Sequence, residues 1–359
     1  MNLNLKPKSE CKYDAVSLGE VMLRLDPGEG RIRTARSFRA WEGGGEYNVV
    51  RGLRKCFKMN TGVITAFADN EVGKLMEDFI CQGGVDTSLI KWMKTDGIGR
   101  ICRNGINFTE RGFGIRGAVG CSDRANTAIA QATPEDFDFD YIFGELGVRW
   151  LHTGGIYAAL SEQSCETVLA AIKAAKKLGL TVSFDPNFRS TLWSFETARD
   201  VLSRYLPYVD VLIGIEPIHV YNADGTDVKD GLTMDPSFED MDRVFKAIDE
   251  QYHMKAIART VRYVHSGSNN SLKAFYYADG KTYESKTLNF EIVDRVGGGD
   301  AFSSGLIYAL MQNDWKHEDI VNFAVASSVM KHAIRGDTNI TSVDQIKRLM
   351  NNASFDVQR

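Results

Sequence analysis

The stretch that decides the fold lies late in the chain, where residues 294–302 read Asp294-Arg295-Val296-Gly297-Gly298-Gly299-Asp300-Ala301-Phe302. Apolar side chains then recur at near-helical spacing, at Phe302, Leu306, Ile307, Leu310 and Met311. Glycines lack a Cβ, so backbone N–H groups can converge on a ligand, and the start of a helix adds unpaired N–H groups and partial positive charge. The stretch therefore predicts an anion-binding turn, suited to phosphate, that opens a helix.

The acidic residue of this stretch, Asp300, would lie in the first turn of that helix. A carboxylate next to a phosphate site repels the ligand, so its presence there needs a reason. We interpret Asp300 as the base that takes the proton from a hydroxyl group attacking the phosphorus. The alternative is a glycine turn followed by an ordinary acidic residue that stabilises the helix start.

A second glycine cluster stands early in the chain, at Gly43-Gly44-Gly45-Glu46-Tyr47-Asn48. A helical pattern follows it and continues to about Phe57. If the cluster is functional, its backbone approaches a ligand and Asn48 supplies a polar contact one turn into the helix. If it is structural, it is a glycine turn with a capping role.

Strands and helices alternate regularly from residue 150 onward. Strands are predicted at 150–153, 180–184, 209–213 and 255–260, and helices at 162–177, 197–206 and 238–251. This order indicates an α/β fold with a doubly wound, mostly parallel sheet that helices cover on both faces. Ligands of such sheets bind beyond the carboxyl ends of the strands, which is where Asp185 and the turn before Asp300 are expected.

Two stretches do not follow this alternation of strands and helices. Residues 97–124 are rich in glycine, contain short β-like pieces, and carry five arginines: Arg100, Arg103, Arg111, Arg116 and Arg124. Residues 21–26 alternate, with Leu23 and Leu25 on one face and Arg24 and Asp26 on the other, which is typical of a half-exposed strand. The arginine-rich stretch is a poor helix and predicts the strands of a small lid.

Composition excludes several classes of function. The chain has 359 residues and a formal net charge of −4, which does not favour binding to nucleic acid or to an anionic membrane. Its apolar runs are too short to span a bilayer. The cysteines form no Cys-x-x-Cys pair and the histidines no His-Glu-x-x-His pattern, so a metal site built on them is not expected. We expect a cytoplasmic protein with a loose N-terminal extension, residues 1–12, and no secretory signal.

The motifs together resemble the PfkB, or ribokinase-like, family of sugar kinases over nearly the whole chain. The resemblance rests on Asp-x-x-Gly-x-Gly-Asp at 294–300, on Gly-Gly-x-x-x-Asn at 43–48, and on segments 19–25, 185–193 and 331–337. Within the family it is strongest to the 2-keto-3-deoxygluconate kinases. It implies one kinase domain, residues 13–359, with a Rossmann-like core and a small β lid from about residues 20–38 and 97–120.

The resemblance also implies the reaction, which is ATP-dependent phosphorylation of a sugar hydroxyl with Mg²⁺ accompanying the ATP. The implied catalytic residues are the base Asp300, the anion-hole glycines Gly297, Gly298 and Gly299, and Arg189 at the transferring phosphoryl group. The alternative for Arg189 is a surface ion pair. The implied sugar contacts are Gly43, Gly44, Asn48, Arg189 and Asp300. The implied nucleotide contacts are Ser266, Gly267, Ser268, Gly297, Gly299, His332 and Gly336.

Two departures from the family pattern affect metal and substrate. Isoleucines occupy both positions of the usual Asn-x-x-Glu motif after strand 209–213, which leaves Glu216 as one substitute near Mg²⁺. Asn107 and Ser122 stand where the 2-keto-3-deoxygluconate kinases place tyrosines on the substrate, whereas Arg124 is kept. We expect a sugar acid such as 2-keto-3-deoxygluconate, with Asn107, Arg103 and Arg124 as lid contacts. The alternative is that Arg103 and Arg124 are both solvated surface side chains.

Three other functions remain open. The first is a kinase for a neutral ketose, such as a fructokinase, which the surplus of lid arginines opposes. The second is a non-catalytic sugar- or nucleotide-binding regulator, which the altered motif permits and the intact turn at Asp300 opposes. A nicotinamide-dependent dehydrogenase ranks last, because no Gly-x-Gly-x-x-Gly follows the first strand. Lid strands of this family often pair between subunits, so a homodimer is also an expectation.

Overall fold

The computed structural model of the protein describes residues 3, 5–312 and 314–351. Its strands are β1 Ala15–Leu18, β2 Met22–Asp26, β3 Arg39–Gly43, β4 Thr61–Ala68, β5 Ile90–Met93, β6 Ile106–Glu110, β7 Val119–Asp123, β8 Trp150–Gly154, β9 Thr181–Asp185, β10 Val211–Ile213, β11 Ala256–Val264, β12 Asn269–Ala278, β13 Lys281–Glu284 and β14 Leu288–Glu291. Its α-helices are α1 Gly45–Phe57, α2 Glu71–Gly83, α3 Ala128–Gln131, α4 Gly155–Ala158, α5 Glu162–Lys177, α6 Phe195–Ser203, α7 Phe238–Tyr252, α8 Gly298–Leu310, α9 His317–His332 and α10 Val343–Met350.

A large sheet forms the centre of the molecule, in the order β13-β12-β11-β10-β9-β8-β1-β4-β5, with β14 paired to β12. Neighbouring strands from β11 to β5 are parallel, whereas β12 is antiparallel to β11, β13 and β14. Strands β1, β4 and β8 are buried along their whole length, because helices cover both faces of the sheet. The predicted doubly wound, mostly parallel α/β architecture is confirmed.

The ends of the elements follow local chemistry. The helix predicted at 162–177 is α5, and the side chain of Ser161 caps its start. The helix predicted at 197–206 begins earlier, at Phe195, because Ser194 accepts a hydrogen bond from the N–H of Thr197. The strand predicted at 255–260 continues to Val264, because β12 pairs with it along its full length.

A second sheet, in the order β3-β2-β6-β7, lies where the small β lid was expected and is called the lid sheet, or lid, below. Its strands extend beyond the expected segments 20–38 and 97–120, to Gly43 and Asp123, because β3 pairs with β2 and β7 pairs with β6. The predicted alternation in β2 is present, but its exposed face is wrong: Arg24 and Asp26 are only 1% and 3% exposed. Their face of the strand is covered by the loops around Asp294, so a polar face does not mean a solvated one here.

The expected N-terminal extension, residues 1–12, is described for residue 3 and residues 5–12. In this part, the Nε of Arg149 donates to the carbonyl of Lys6 over 2.8 Å, and Thr181 donates to the carbonyl of Leu3 over 3.3 Å. These residues therefore contact the main domain rather than hang free. Within the described chain, each helix is too short or too polar to cross a bilayer.

Candidate active site

A cavity of about 510 Å³, here called the main cavity, opens where the carboxyl ends of the parallel strands meet the lid sheet. Its walls come from the glycine turn before α8, the start of α1, the loop after β9 and the inner face of the lid. The predicted site residues that line it are Gly43, Gly44, Asn48, Asn107, Arg124, Arg189, Gly297, Gly298, Gly299 and Asp300. Residues from both glycine clusters thus come together although at least 249 positions, from Asn48 to Gly297, separate them in the sequence.

The three glycines of the turn play different structural parts. Gly297 has φ +78°, and a Cβ there would collide with the carbonyl oxygen of Asp337. A Cβ on Gly298 would collide with the ring of His332, whereas the space beside Gly299 is open. Among the described residues, no acceptor binds the backbone N–H of Gly299 or of Asp300. These two N–H groups are free to bind an anion, while Gly297 and Gly298 shape the turn.

Asp300 lies at the floor of the main cavity, at the start of α8. Its Oδ2 accepts a 2.7 Å hydrogen bond from the side-chain amide of Asn48. Burial raises the pKa of Asp300 to about 6, and the Asn48 hydrogen bond and the charges of Arg189 and Lys331 oppose that rise. Asp300 is therefore ionised at neutral pH and has a pKa close to that of an effective general base.

A second carboxylate, Asp185, ends β9 and lines the same cavity. Its Oδ1 accepts a 2.9 Å hydrogen bond from the N–H of Asn187. Burial and the negative charge of Asp300 raise the pKa of Asp185 to about 7, and Arg189 opposes the rise. Arg189 itself donates to the carbonyl of Phe188 over 3.0 Å and has no carboxylate partner within the described residues, so the surface ion pair considered for it is not formed there.

Gly43 and Gly44, in the glycine cluster before α1, allow a close approach of loops. A Cβ on Gly44 would collide with the carbonyl oxygen of Glu20, and one on Gly43 would collide with the side chain of Asp337. Glu46, in the first turn of α1, is 3% exposed, and burial raises its pKa to about 8. At neutral pH, Glu46 is thus mainly the neutral acid, which leaves Asp300 with one negative neighbour fewer.

The lid arginines divide into two groups. Arg124 lines the main cavity and forms an ion pair with the buried Glu20, and its Nε has no hydrogen-bond partner in the described structure. Arg103 does not line the cavity: its Nη1 donates to Asp123 over 3.0 Å and its Nε to the carbonyl of Ala125 over 2.8 Å. The structure gives the expected substrate contact of Arg103 no support, because Asp123 holds and neutralises this guanidinium.

The side-chain amide of the lid residue Asn107 lies on the cavity wall. Asn107 lines the main cavity, next to Ser122 of the neighbouring strand. Its Oδ1 accepts a 2.9 Å hydrogen bond from the hydroxyl of Ser122, and its Nδ2 donates to Thr109 over 2.9 Å. The amide is thus held in one orientation on the cavity wall.

A buried ion-pair network behind the cavity was not anticipated. The Nη2 of Arg24, in lid strand β2, donates to Asp294 over 2.8 Å, and its Nε forms an ion pair with Asp337. Burial and the charge of Asp294 raise the pKa of Asp337 to about 7, although Arg24 opposes the rise. Lys331 is fully buried and donates to the carbonyl of Asp294 over 3.3 Å. The regular alternation of β2 marked Arg24, but the partner loops that bury it could not be identified from local sequence.

The residues that were expected to contact the nucleotide do not lie together in the structure. Ser266 and Gly267 line a second, mostly apolar cavity of about 280 Å³ that Ile115, Val264, Ile292 and Val293 also line, here called the apolar cavity. Ser268 instead accepts a hydrogen bond from the N–H of Gly114 in the lid.

His332 and Gly336 line neither of these two cavities, so a direct contact of either residue with the nucleotide stays a prediction. The Nδ1 of His332 bonds to the carbonyl of Ser328 over 2.7 Å, and burial lowers its pKa to about 3. The N–H of Gly336 donates to Asp294 over 3.0 Å. Both residues pack behind the glycine turn and support it.

Glu216 lines a third cavity, of about 380 Å³, which shares Asp185, Asn187 and Gly299 with the main cavity. Burial raises the pKa of Glu216, and the Nζ of Lys229 lies 4.0 Å from its Oε2. The described residues bring together no group of three or more acidic, histidine or cysteine side chains that could hold a metal by themselves. Two carboxylates, Asp185 and Glu216, still fit a partly hydrated Mg²⁺ that arrives with phosphates.

Two further arginines line the main cavity beside the glycine turn, and the sequence did not single them out. Arg262 comes from the end of β11, and Arg295 precedes the turn. Burial and the neighbouring Arg295 lower the pKa of Arg262 to about 10. Their proximity to the carboxyl end of a parallel strand is the signal that could have found them.

Comparison with known proteins places this site in context. The family model described as pfkB family carbohydrate kinase matches residues 12–342. A 2-dehydro-3-deoxygalactonokinase from Haloferax volcanii is 26% identical over 347 residues, covering 96% of this chain and 99% of the relative. The crystal structure of 2-dehydro-3-deoxygluconokinase from Thermotoga maritima has a TM-score of 0.84 and 32% identity, covering 94% of this chain and 99% of that chain.

A more distant structure shares the fold. The fructokinase from Xylella fastidiosa, solved with bound ATP, has a TM-score of 0.68 at 18% identity and covers 95% of this chain and 99% of that one.

Proposed function

The chain belongs to the PfkB family of carbohydrate kinases, and from this premise we propose that it transfers the γ-phosphoryl group of ATP to a hydroxyl group of 2-keto-3-deoxygluconate or a closely related sugar acid. It is an ATP-dependent sugar kinase that uses Mg²⁺ with the nucleotide. The observation that carries the proposed site is the position of Asp300, which faces the main cavity next to two free backbone N–H groups.

The geometry supports a direct transfer. Asp300 accepts the proton of the sugar hydroxyl while the hydroxyl oxygen bonds to the γ-phosphorus and the bond to ADP breaks. The N–H groups of Gly299 and Asp300 are placed to stabilise charge on the phosphoryl oxygens, and Arg189 adds a cation. Bound Mg²⁺ would neutralise phosphate charge, with Asp185 and Glu216 as the nearest carboxylates of this chain. The non-catalytic regulator is less consistent with this arrangement, because a binding protein needs no base at this point.

The sugar-acid assignment rests on cations around the main cavity and on the two sugar-acid kinases described above. Arg124 is the lid residue of this chain best placed to meet a carboxylate, because it lines the cavity and keeps one unpaired N–H. One observation favours the ketose alternative: Glu20 already balances part of the charge of Arg124. A neutral sugar such as fructose is therefore the second candidate substrate.

The proposed assembly is a homodimer in the cytoplasm, formed through the lid. Strand β7 is the edge of the lid sheet, and it is exposed along its whole length. Apolar side chains near it, Phe113 and Ile115, are also exposed. An exposed edge with apolar neighbours suits pairing with a second copy. Sedimentation of the wild type and of a Val119→Lys variant tests the dimer, because a charge at a paired edge should favour monomers.

The test of the proposed function is ADP release with Mg²⁺ and a panel of sugar acids, ketoses and nucleosides. We expect the highest kcat/KM with 2-keto-3-deoxygluconate or an epimer of it. A preference for fructose would replace the sugar-acid assignment with the ketose one. Binding of sugar and ATP without any turnover would support the regulator instead.

A further inference from the structure

Two guanidinium groups beside the glycine turn have no counter-ion in the part of the chain that the structure describes. Neither the side chain of Arg262 nor that of Arg295 makes a hydrogen bond or an ion pair there, although both line the main cavity. Arg262 is half-buried, and Arg295 lies close enough to repel it. Two like charges held together in a cleft without an acid partner indicate a site built for an anion.

Their position indicates which anion. Arg295 lines both the main cavity and the apolar cavity, so it stands at the passage between them. The apolar cavity, with Val264, Ile292 and Val293, suits a flat apolar ring better than a sugar. Arg262 lies on β11, which is four strands from β1 in the sheet, whereas the lid amide and Arg124 approach the cavity from the lid sheet. A nucleotide with its ring in the apolar cavity would place its phosphates along this pair.

The terminal phosphates of ATP carry most of its negative charge, and Mg²⁺ neutralises only part of it. Two guanidinium groups that line the main cavity without an acid partner among the described residues are suited to meet the remainder. We propose that Arg262 and Arg295 bind the two terminal phosphates of ATP directly, so that the protein keeps much of its affinity for the nucleotide without Mg²⁺. This inference rests on the proposed kinase function and adds to it two phosphate-binding residues and a metal-independent binding step.

The experiment measures binding by calorimetry in EDTA, with β,γ-imido-ATP and with AMP as probes. We expect the wild type to bind the ATP analogue without metal. Arg262→Met and Arg295→Met should each weaken it by about ten- to a hundredfold, the value of a charge-assisted hydrogen bond of roughly 1.5–3 kcal/mol. AMP lacks the terminal phosphates, so its affinity should stay within about twofold. Arg262→Lys keeps the charge and should lose less than Arg262→Met.

The matched control is Arg204→Met, because Arg204 is an exposed arginine, 58% accessible, whose nearest acid is Glu166 at 3.8 Å. It should bind both probes as the wild type does. Unchanged binding of the analogue by both Arg262→Met and Arg295→Met would overturn the inference, and so would an equal loss for AMP. A rise in KM for the sugar acid alone would assign the pair to the substrate carboxylate and overturn it as well.

Failure of the proposed function would give a different set of results from failure of this inference. If the wild type phosphorylates no sugar acid but its metal-free binding of β,γ-imido-ATP depends on both arginines, the phosphate site stands and the substrate assignment falls.

Discussion

The side-chain amide of Asn48 donates a 2.7 Å hydrogen bond to Oδ2 of Asp300, which joins the first turns of α1 and α8 across 252 residues of chain. The bond fixes the rotamer of the carboxylate and favours its ionised form. A glycine, Gly44 or Gly297, stands at the N-cap of each of these helices, so the hydrogen bond also brings the two glycine turns together.

Replacing Asp300 with Asn should abolish phosphoryl transfer while nucleotide binding persists. The change keeps the size of the side chain and the glycine turn but removes the base, whose contribution is about 10²–10⁴ in rate. Turnover is measured by ADP release and binding by titration with β,γ-imido-ATP. If the variant kept more than half of the wild-type turnover, Asp300 would not be the base.

The pH dependence of kcat/KM should show an acid limb near the pKa of Asp300, about 6, because the protonated carboxyl cannot accept the hydroxyl proton. Asn48→Ala removes a hydrogen bond that lowers this pKa, so the limb should move to higher pH by about one unit. Asp185→Asn should leave the limb where it is, because Asp185, whose pKa is raised to about 7, is largely protonated while Asp300 titrates near 6. An acid limb that did not move in Asn48→Ala would contradict this assignment.

Arg124→Met should raise KM for the sugar acid by about tenfold, because a carboxylate loses a charge-assisted partner. KM for fructose and for ATP should change little. Arg103→Met is the matched control, because Arg103 belongs to the same lid but lies outside the cavity. Since Arg124→Met leaves Glu20 buried without its partner, the double variant with Glu20→Gln controls for stability. Equal losses on both sugars would argue against a carboxylate contact.

The rate should stay dependent on Mg²⁺, and Glu216→Gln should raise the Mg²⁺ concentration at half-maximal rate by up to about tenfold. Phosphates and water hold most of the metal, so the requirement itself should not disappear. Glu239→Gln, an exposed change on α7, is the control. An identical Mg²⁺ titration for Glu216→Gln and wild type would remove Glu216 from the metal site.

Glu46→Gln should change stability in a pH-dependent way. The folded-state pKa of Glu46, about 8, lies above its ordinary value of 4.5, so the folded protein keeps a proton that the unfolded chain releases between these values. The stability that comes from the neutral acid is therefore present below pH 4.5 and is lost as pH rises towards 8. Gln cannot ionise, so the variant should gain about 4 kcal/mol relative to the wild type between pH 5 and pH 8.5 in urea unfolding. A constant difference would show that Glu46 does not titrate in this range.

Local pattern was enough to predict the sheet class, helix α5 and the place of Asp300 in the first turn of a helix, because each depends on residues close in sequence. Strands β3, β5 and β14 were missed, because pairing with β2, β4 and β12 orders stretches that carry weak signals of their own. The exposed face assigned to Arg24 was wrong for a similar reason, since its acid partners lie at the other end of the chain.

The structure brings some of the predicted site residues to the main cavity and leaves others behind it, and their roles stay predictions. Residues with a motif behind them, such as Asn48 and Gly299, do line the main cavity. His332 and Gly336 belong to a motif as well, but they lie one layer behind the cavity. A motif marks residues that a family needs, and it cannot tell a ligand contact from the support of one.

The ion pairs of Arg24 have a consequence for the hydrolysis of ATP in the absence of sugar. Arg24 belongs to the lid, but Asp294 and Asp337 belong to the loops that shape the glycine turn. If the lid lifted, these carboxylates would lose their guanidinium partner, and the turn would lose part of what holds it. We expect the phosphate site to be complete only while the lid covers the sugar. ATP that binds before the sugar would then find the phosphate site incomplete. Transfer of its phosphoryl group to water, instead of to the sugar, would therefore be slow.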